Sequence, residues 1–354
     1  MNTMHLPFPV PTNIPQSLRH TLHPAKRIQL KKVLAALALL LLLNPFTACR
    51  RDVPPSQWRE TLRLARLDHL LMREGGGEGI MATDSAFGTL WCRLLHFEGS
   101  ERFAAYLNAF AADSSMQSLQ DSIEYAFPVG SEPAKPLEEG FAWLHSHMPS
   151  IDIPRIYFIN GGFNAPCMMD TSMLGIALDC FLGQNSSYYE KLQVPQYIRR
   201  NMSPARVAPA AIIGWLDEMY TPSVSLRTVL DFMLYQGKLL YIARQALPKL
   251  AESVVLGFSK EEIAWLEKNE ANMWQYLSEK NVLFDTNPLI INQFTGPAPF
   301  TRAFGNDSPG RAAAWLGYRI IESYCNANRS TPIERLYFST NAQQILGNAK
   351  YNPK

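Results

Sequence analysis

Asp231, Gln236 and Lys238 lie within residues 228–243, TVLDFMLYQGKLLYIA, a helical stretch that is otherwise apolar nearly all round. A helix of that kind is read as buried. A buried carboxylate, amide or ammonium is costly without a partner, so each needs an explanation. Two remain open: the polar groups line a site, or they close an internal hydrogen-bond network. As a site, Gln236 and Lys238 would share one pocket with Asp179, Tyr197, Arg200 and Arg311, in an enzyme or a ligand-binding protein. As a network, Lys238 calls for a carboxylate, with Asp231 and Asp179 the candidates.

Other chemistry is scarce. All seven histidines, the last being His147, precede the central and C-terminal parts, which therefore lack the imidazole of most zinc sites and acid-base triads. His145 and His147 sit two apart on a helix and read as solvent-facing. There is no Gly-X-Ser-X-Gly elbow, His-Glu-X-X-His pair or Cys-X-X-Cys, and no Lys-Ser or Lys-Thr follows Gly75-Gly76-Gly77 to make a phosphate loop. The acidic pairs Asp217-Glu218 and Glu261-Glu262 diverge on their helices, and Glu262 reads as part of a cap, so glycosidase chemistry is set aside. Tyr188, Tyr189, Tyr197, Arg199 and Arg200 form an aromatic and basic cluster, read either as a partner surface or as a solvated turn.

The chain has 354 residues, 47% hydrophobic and 18% charged, enough for a sizeable core. Its 33 Lys and Arg against 31 Asp and Glu conceal an asymmetry: residues 1–48 hold Arg19, Lys26, Arg27, Lys31 and Lys32 and no acid. From residue 49 onward, 28 bases face 31 acids, which excludes the basic footprint of a nucleic-acid binder. The basic segment leads into eleven apolar residues, 33–43, too few to span a bilayer and the right length for a secretory signal. Phe46-Thr47-Ala48-Cys49 then reads as a lipobox, with Phe in place of the usual aliphatic residue. The organisation expected is a signal peptide over 1–48, lipidated Cys49, a tether over 49–57, one globular domain over 58–345 and a tail over 346–354. Outside the cytoplasm Cys92, Cys167, Cys180 and Cys325 could pair, although Cys180 lies in an apolar run read as helical, where a free thiol is commoner.

The elements that must position these residues follow from periodicity and punctuation. Helices are predicted over 58–72, broken by the glycines at 75–77, and over 86–97, 102–112, 137–148 and 208–220. Residues 153–159, IPRIYFI, form the best strand. Ser259 and Glu262 make a capping box for a helix to residue 280. Residues 281–306 read as a long connection, and Ser308 with Pro309 as the start of the last strong helix. The fold class predicted is mainly α with a small sheet around 153–159, that is, α+β.

Several short motifs occur in a telling order. Cys49, LGIALDCFLG at 174–183, Pro195-Gln196-Tyr197-Ile198-Arg199-Arg200, Tyr235-Gln236-Gly237-Lys238 with Tyr241, Pro297-Ala298-Pro299-Phe300 and Ser308-Pro309-Gly310-Arg311 together resemble the gliding-motility lipoprotein GldB family of the Bacteroidetes, over roughly residues 60–330. The resemblance implies a lipoprotein anchored in a membrane of the cell envelope, its domain outside the cytoplasm. It further implies contact with envelope proteins of the gliding or linked secretion machinery, and no established enzymatic activity. That family is in turn distantly similar to zinc peptidases predicted from sequence, with a helical metallopeptidase fold. There one helix carries His-Glu-X-X-His and a second a glutamate before a glycine. The corresponding positions here are 208–215, with Ala210, Ala211, Ile212 and Ile213, and Gln236 before Gly237. An apolar helix cannot bind zinc and an amide is a poor ligand for it. The resemblance thus implies a degenerate, metal-free and cofactor-free pseudo-enzyme with Gln236 as the remnant of a ligand position.

Replacing Cys49 with Ser is expected to abolish palmitate incorporation and to release the protein from the membrane fraction. Unchanged labelling would overturn the lipoprotein assignment.

Overall fold

β-Branched and aromatic residues concentrate at residues 156–159, IYFI, and this run becomes a strand. The computed structural model describes residues 61–95, 100–131, 133–170, 172–220 and 226–354, all within a compact unit comprising residues 52–354. The signal segment, Cys49 and the tether lie outside the described residues. Strands β1 (Ala65–Arg66), β2 (Arg155–Ile159), β3 (Cys167–Met169) and β4 (Met173–Ala177) form one sheet in the order β1-β2-β4-β3. The first three neighbours run parallel, with Ile156 opposite Leu174 and Phe158 opposite Ile176, and β3 is antiparallel to β4. The protein is otherwise mostly helical, which is the α+β class read from the sequence.

Two readings of the sequence change here. All five residues of β4 are buried, so its apolar run lacks the alternation that marks a half-exposed strand. It is followed by a single short 3₁₀ helix, Leu178–Phe181, so Cys180 sits in that turn rather than in a long apolar helix. Likewise the helix read over 58–72 gives way to β1, because Ala65 and Arg66 pair with Tyr157 and Phe158. A π-helical stretch, Leu70–Gly75, follows. The glycines at 75–77 then redirect the chain into a new helix, α1 (Gly76–Thr83), rather than ending in a loop. Gly76 takes φ +58°, and a Cβ on Gly77 would lie 2.3 Å from the Ala104 carbonyl oxygen of the helix it rests on.

That helix is α3 (Ser100–Ala112), which follows α2 (Ser85–Leu94) and precedes α4 (Ser114–Ala126) and α5 (Ala134–His147). Trp91 of α2 meets Phe103 of α3 edge to face at 5.8 Å, as the helical spacing of both predicted. After the sheet come α6 (Val207–Met219), α7 (Val229–Ala246), the short α8 (Glu252–Leu256) and α9 (Lys260–Glu279). The Ser259 and Glu262 capping box is formed as read. α7 carries a second one, in which Thr228 receives the Asp231 amide and Asp231 accepts from the Thr228 amide.

The connection over 281–306 contains a further helix, α10 (Pro288–Thr295). Asn287 and Pro288, read as a turn, are its cap and first residue: the Asn287 side chain accepts from the Leu289 amide. The last long helix, α11 (Ala312–Ala327), starts later than expected. Ser308 is not its cap; its hydroxyl is held between the backbones of Thr301 and Gly305. The Ala312 amide instead reaches the Thr301 hydroxyl at 3.2 Å, and Arg311 turns the chain with φ +55°. α12 (Ile333–Phe338) and α13 (Ala342–Ala349) complete the described elements. Residues 346–351 pack against the domain rather than trailing from it: Ala349 is buried and the Tyr351 hydroxyl donates to Glu270 at 2.6 Å.

α7 is apolar all round because it faces two cores. Leu239, Ile242 and Ala243 join the core around the sheet, and Leu230, Met233, Leu234 and Leu240 join a second one with α9, α10 and α11. Its crossing with α11 is backbone on backbone: a Cβ on Gly237 would lie 2.2 Å from the Gly317 carbonyl carbon, and one on Gly317 would lie 1.9 Å from the Met233 oxygen. Replacing Gly317 with Ala must push these helices apart, and the expected loss is about 2–3 kcal/mol in a urea melt. Gly347, exposed in α13 with nothing within 4 Å of an added Cβ, is the control. Its change to Ala is expected to stabilise by about 0.5–1 kcal/mol.

Candidate functional site

Residues at positions i and i+4 of a helix share a face, and Phe232 and Gln236 of α7 together form one wall of a cavity of about 910 Å³. The facing wall is the face of α10 that carries Pro288, Ile291, Asn292 and Thr295, and Arg311 lies where the chain enters α11. Gln236 is half-buried and makes no side-chain hydrogen bond among the described residues. It is therefore not the neutral member of a buried network that the sequence suggested; it opens onto the cavity.

Arg311 belongs to a group of three arginines. Its Nη2 donates to the Leu256 carbonyl at 3.3 Å and its guanidinium lies 5.2 Å from the centre of the Phe258 ring. Nη1 of Arg206 donates to the carbonyls of Val254 and Val255, so two arginines take the last three carbonyls of α8. A helix C-terminus attracts cations in this way. Gly257, at φ +75°, ends that helix, and its lack of a Cβ leaves room for the Arg206 guanidinium. Arg200 is bound to Glu262, whose other oxygen is held by the cap of α9. Burial, and then the charge of Arg311, push Arg206 down to about 10. Arg311 is lowered first by burial and next by the charge of Arg200, with Glu262 opposing. Arg200 thus takes the Glu262 carboxylate, Arg206 and Arg311 take carbonyls, and Arg311 also lines the cavity.

The structure does not bring the other predicted site residues to that cavity. Lys238 points away from it and is only 3% exposed. Its Nζ donates to the carbonyls of Tyr337 at 2.9 Å and Ser339 at 2.8 Å, at the end of α12, and lies 4.9 Å from the centre of the Tyr220 ring. Neither of the carboxylates expected for it is its partner. Asp231 caps α7. Asp179 is buried on the far side of the sheet core, accepting from the amides of Gly161 at 2.7 Å and Phe163 at 2.6 Å, and burial raises it to about 6. Tyr197 is half-buried in the short helix Gln196–Arg199, and Arg200 lines a separate depression with Gly183 and Asn185. Of the aromatic and basic cluster, Tyr189 is fully buried, its hydroxyl donating to the Asp179 carbonyl at 2.7 Å.

Sequence reasoning missed a buried polar chain near Asp179. Arg66 is paired with Asp68 at 2.6 Å; Asp68 accepts from Gln120 at 2.9 Å, and the Gln120 oxygen accepts from Asn160 at 3.3 Å. Asp68, Gln120, Asn160 and Asp179 are all fully buried. Arg66, Asn160 and Asp179 stand at or just beyond the carboxyl ends of the three parallel strands, where open α/β sheets place ligands. Here the side chains bond one another and close that end. The only signal in the sequence was Asn160-Gly161-Gly162 after the strand.

Among the described residues no three of His, Cys, Asp and Glu form a group that could hold a metal ion. No residue of α6 lines the cavity of Gln236. The two helices that the peptidase likeness would pair do meet, through Tyr235 and Asp217, but on a face that Gln236 leaves. His145 and His147 are solvent-exposed, as read, and the four described cysteines are free thiols.

Fold and cavity together define a mostly helical α+β protein with an arginine-bearing cavity between helices. The sequence profile of the gliding motility protein GldB family matches residues 77–353, and the chain belongs to that family of gliding-motility lipoproteins. No curated protein and no solved structure matches the chain. No helix among the described residues is long and apolar enough to cross a membrane.

Lys238 supplies a pH test. Its pKa is about 8 in the folded chain, lowered by burial, against about 10.4 when unfolded. Between those values the unfolded chain holds the extra proton, so stability rises with pH across that window, by up to about 3 kcal/mol. Urea midpoints measured from pH 7 to 10.5 should show this rise in the wild type and lose it in Lys238→Met. Equal slopes in both would remove Lys238 as its source.

Proposed function

We propose that this protein is a lipid-anchored component of the bacterial cell envelope that supports gliding or the linked secretion machinery through protein contacts, without chemistry of its own. The observation that carries the reading is membership of the GldB family over residues 77–353. The cavity supports it chemically. Its polar groups include the amides of Gln236 and Asn292, the hydroxyls of Thr286 and Thr295 and the guanidinium groups of Arg227 and Arg311. Amides and guanidinium groups neither take up nor release protons near neutral pH, so they orient a bound group but cannot serve as its general acid or base.

The second reading is a ligand-binding protein of the envelope, and the cavity favours it: about 910 Å³ is within the range of small-molecule sites. It does not include Lys238, which the sequence had placed beside Gln236. Both readings put the domain outside the cytoplasm, held to a membrane through Cys49.

The test is in vivo cross-linking of a tagged full-length chain, followed by purification from membranes, beside deletion of its gene. The expected result is a defined set of envelope proteins that copurify only after cross-linking, and a deletion strain that no longer spreads on agar or secretes through the linked system. A chain that purifies alone, in a strain whose deletion spreads and secretes normally, would overturn the proposal.

A further inference from the structure

We infer that the cavity between α7 and α10 receives a carboxylate carried on an apolar segment of a partner protein, with Arg311 as the group that binds the carboxylate. The inference rests on the contact-protein reading above and names the chemistry of the contact.

Arg200 is bound to the Glu262 carboxylate, whereas Arg206 and Arg311 donate to backbone carbonyls. Arg311 keeps one long bond to a carbonyl and an aromatic face, neither of which neutralises it. Its charge is destabilised by burial and by Arg200, and an anion entering the cavity would relieve both. A guanidinium matches a carboxylate with two parallel hydrogen bonds. The amides of Gln236 and Asn292 stand on the two facing walls, where they could hold the backbone or the second oxygen of such a ligand.

The hydrocarbon lining of the cavity selects a peptide segment over a free anion. Phe232 and Ile291 make the walls largely hydrocarbon. Leu226, Pro288 and Pro297 extend the same apolar lining. Inorganic phosphate or acetate would engage Arg311 and leave these apolar walls uncovered.

The experiment is selection of a random heptapeptide display library on the full-length chain in detergent. Peptides with Asp, Glu or a free terminal carboxylate within two residues of Leu, Ile or Phe should be enriched. Selected peptides should bind Arg311→Gln at least tenfold more weakly by calorimetry. Asn292→Trp, an exposed position whose new ring would fill the mouth, should block them while leaving the melting curve unchanged. Enrichment without an acidic group, full binding to both variants, or equal competition by acetate or inorganic phosphate would each overturn the inference. Failure here is distinguishable from failure of the proposed function. If the envelope proteins cross-linked by the wild type are captured equally by Asn292→Trp, the cavity is not the contact but the contact role stands. If the wild type captures none, the role itself falls.

Discussion

Two backbones touch where Gly237 of α7 meets Gly317 of α11, and the rest of the C-terminal half is arranged around that contact. Helix axes can approach this closely only where neither residue carries a Cβ. The crossing fixes the rotation of α7 about its axis, and consecutive residues of a helix point about 100° apart. Gln236, Gly237 and Lys238 therefore face three different surroundings: a cavity, a neighbouring helix, and the carbonyls that close α12. A tripeptide that reads as one polar interruption is three separate solutions.

Cations buried in this protein are held by carbonyl oxygens more than by acids. Lys238 sits on Tyr337 and Ser339, Arg206 on Val254 and Val255, and Arg311 on Leu256. The unpaired carbonyls at a helix end carry the negative pole of its dipole, so they solvate a cation while leaving it formally unneutralised. An ion pair would cancel the charge; this arrangement stores it. Lys238 shows the outcome where the site is closed, a lysine whose proton is loosened, and Arg311 the outcome where it is open.

Elements governed by local rules were legible in the sequence. The Ser259 capping box, the strand ending at Ile159, the paired helices around Trp91 and Phe103, and the buried nature of α7 all follow from residues within a few positions of one another. What was not legible depends on distant partners. Lys238 meets its carbonyls 99 and 101 residues further along the chain, and no local pattern distinguishes a carbonyl partner from the carboxylate that charge alone suggests. Ser308 has the right type and spacing for a cap, yet Thr301, 11 residues before Ala312, supplies the hydroxyl. β1 overrides helical periodicity because the edge of β2 offers it hydrogen bonds. For the site, Gln236 and Arg311 were named from the sequence and do come together. α10, which builds the facing wall, was hidden because Asn-Pro marks a turn as often as a helix start.

The backbone at Arg311 bears on why an arginine stands there at all. Its φ of +55° suits glycine, whereas any residue with a Cβ is held in that conformation at a cost of roughly 1–2 kcal/mol. A glycine would relieve that cost but lose the guanidinium that meets the Leu256 carbonyl and the Phe258 ring. The disfavoured backbone is thus the cost of carrying one side chain that closes α8 and lines the cavity at the same turn.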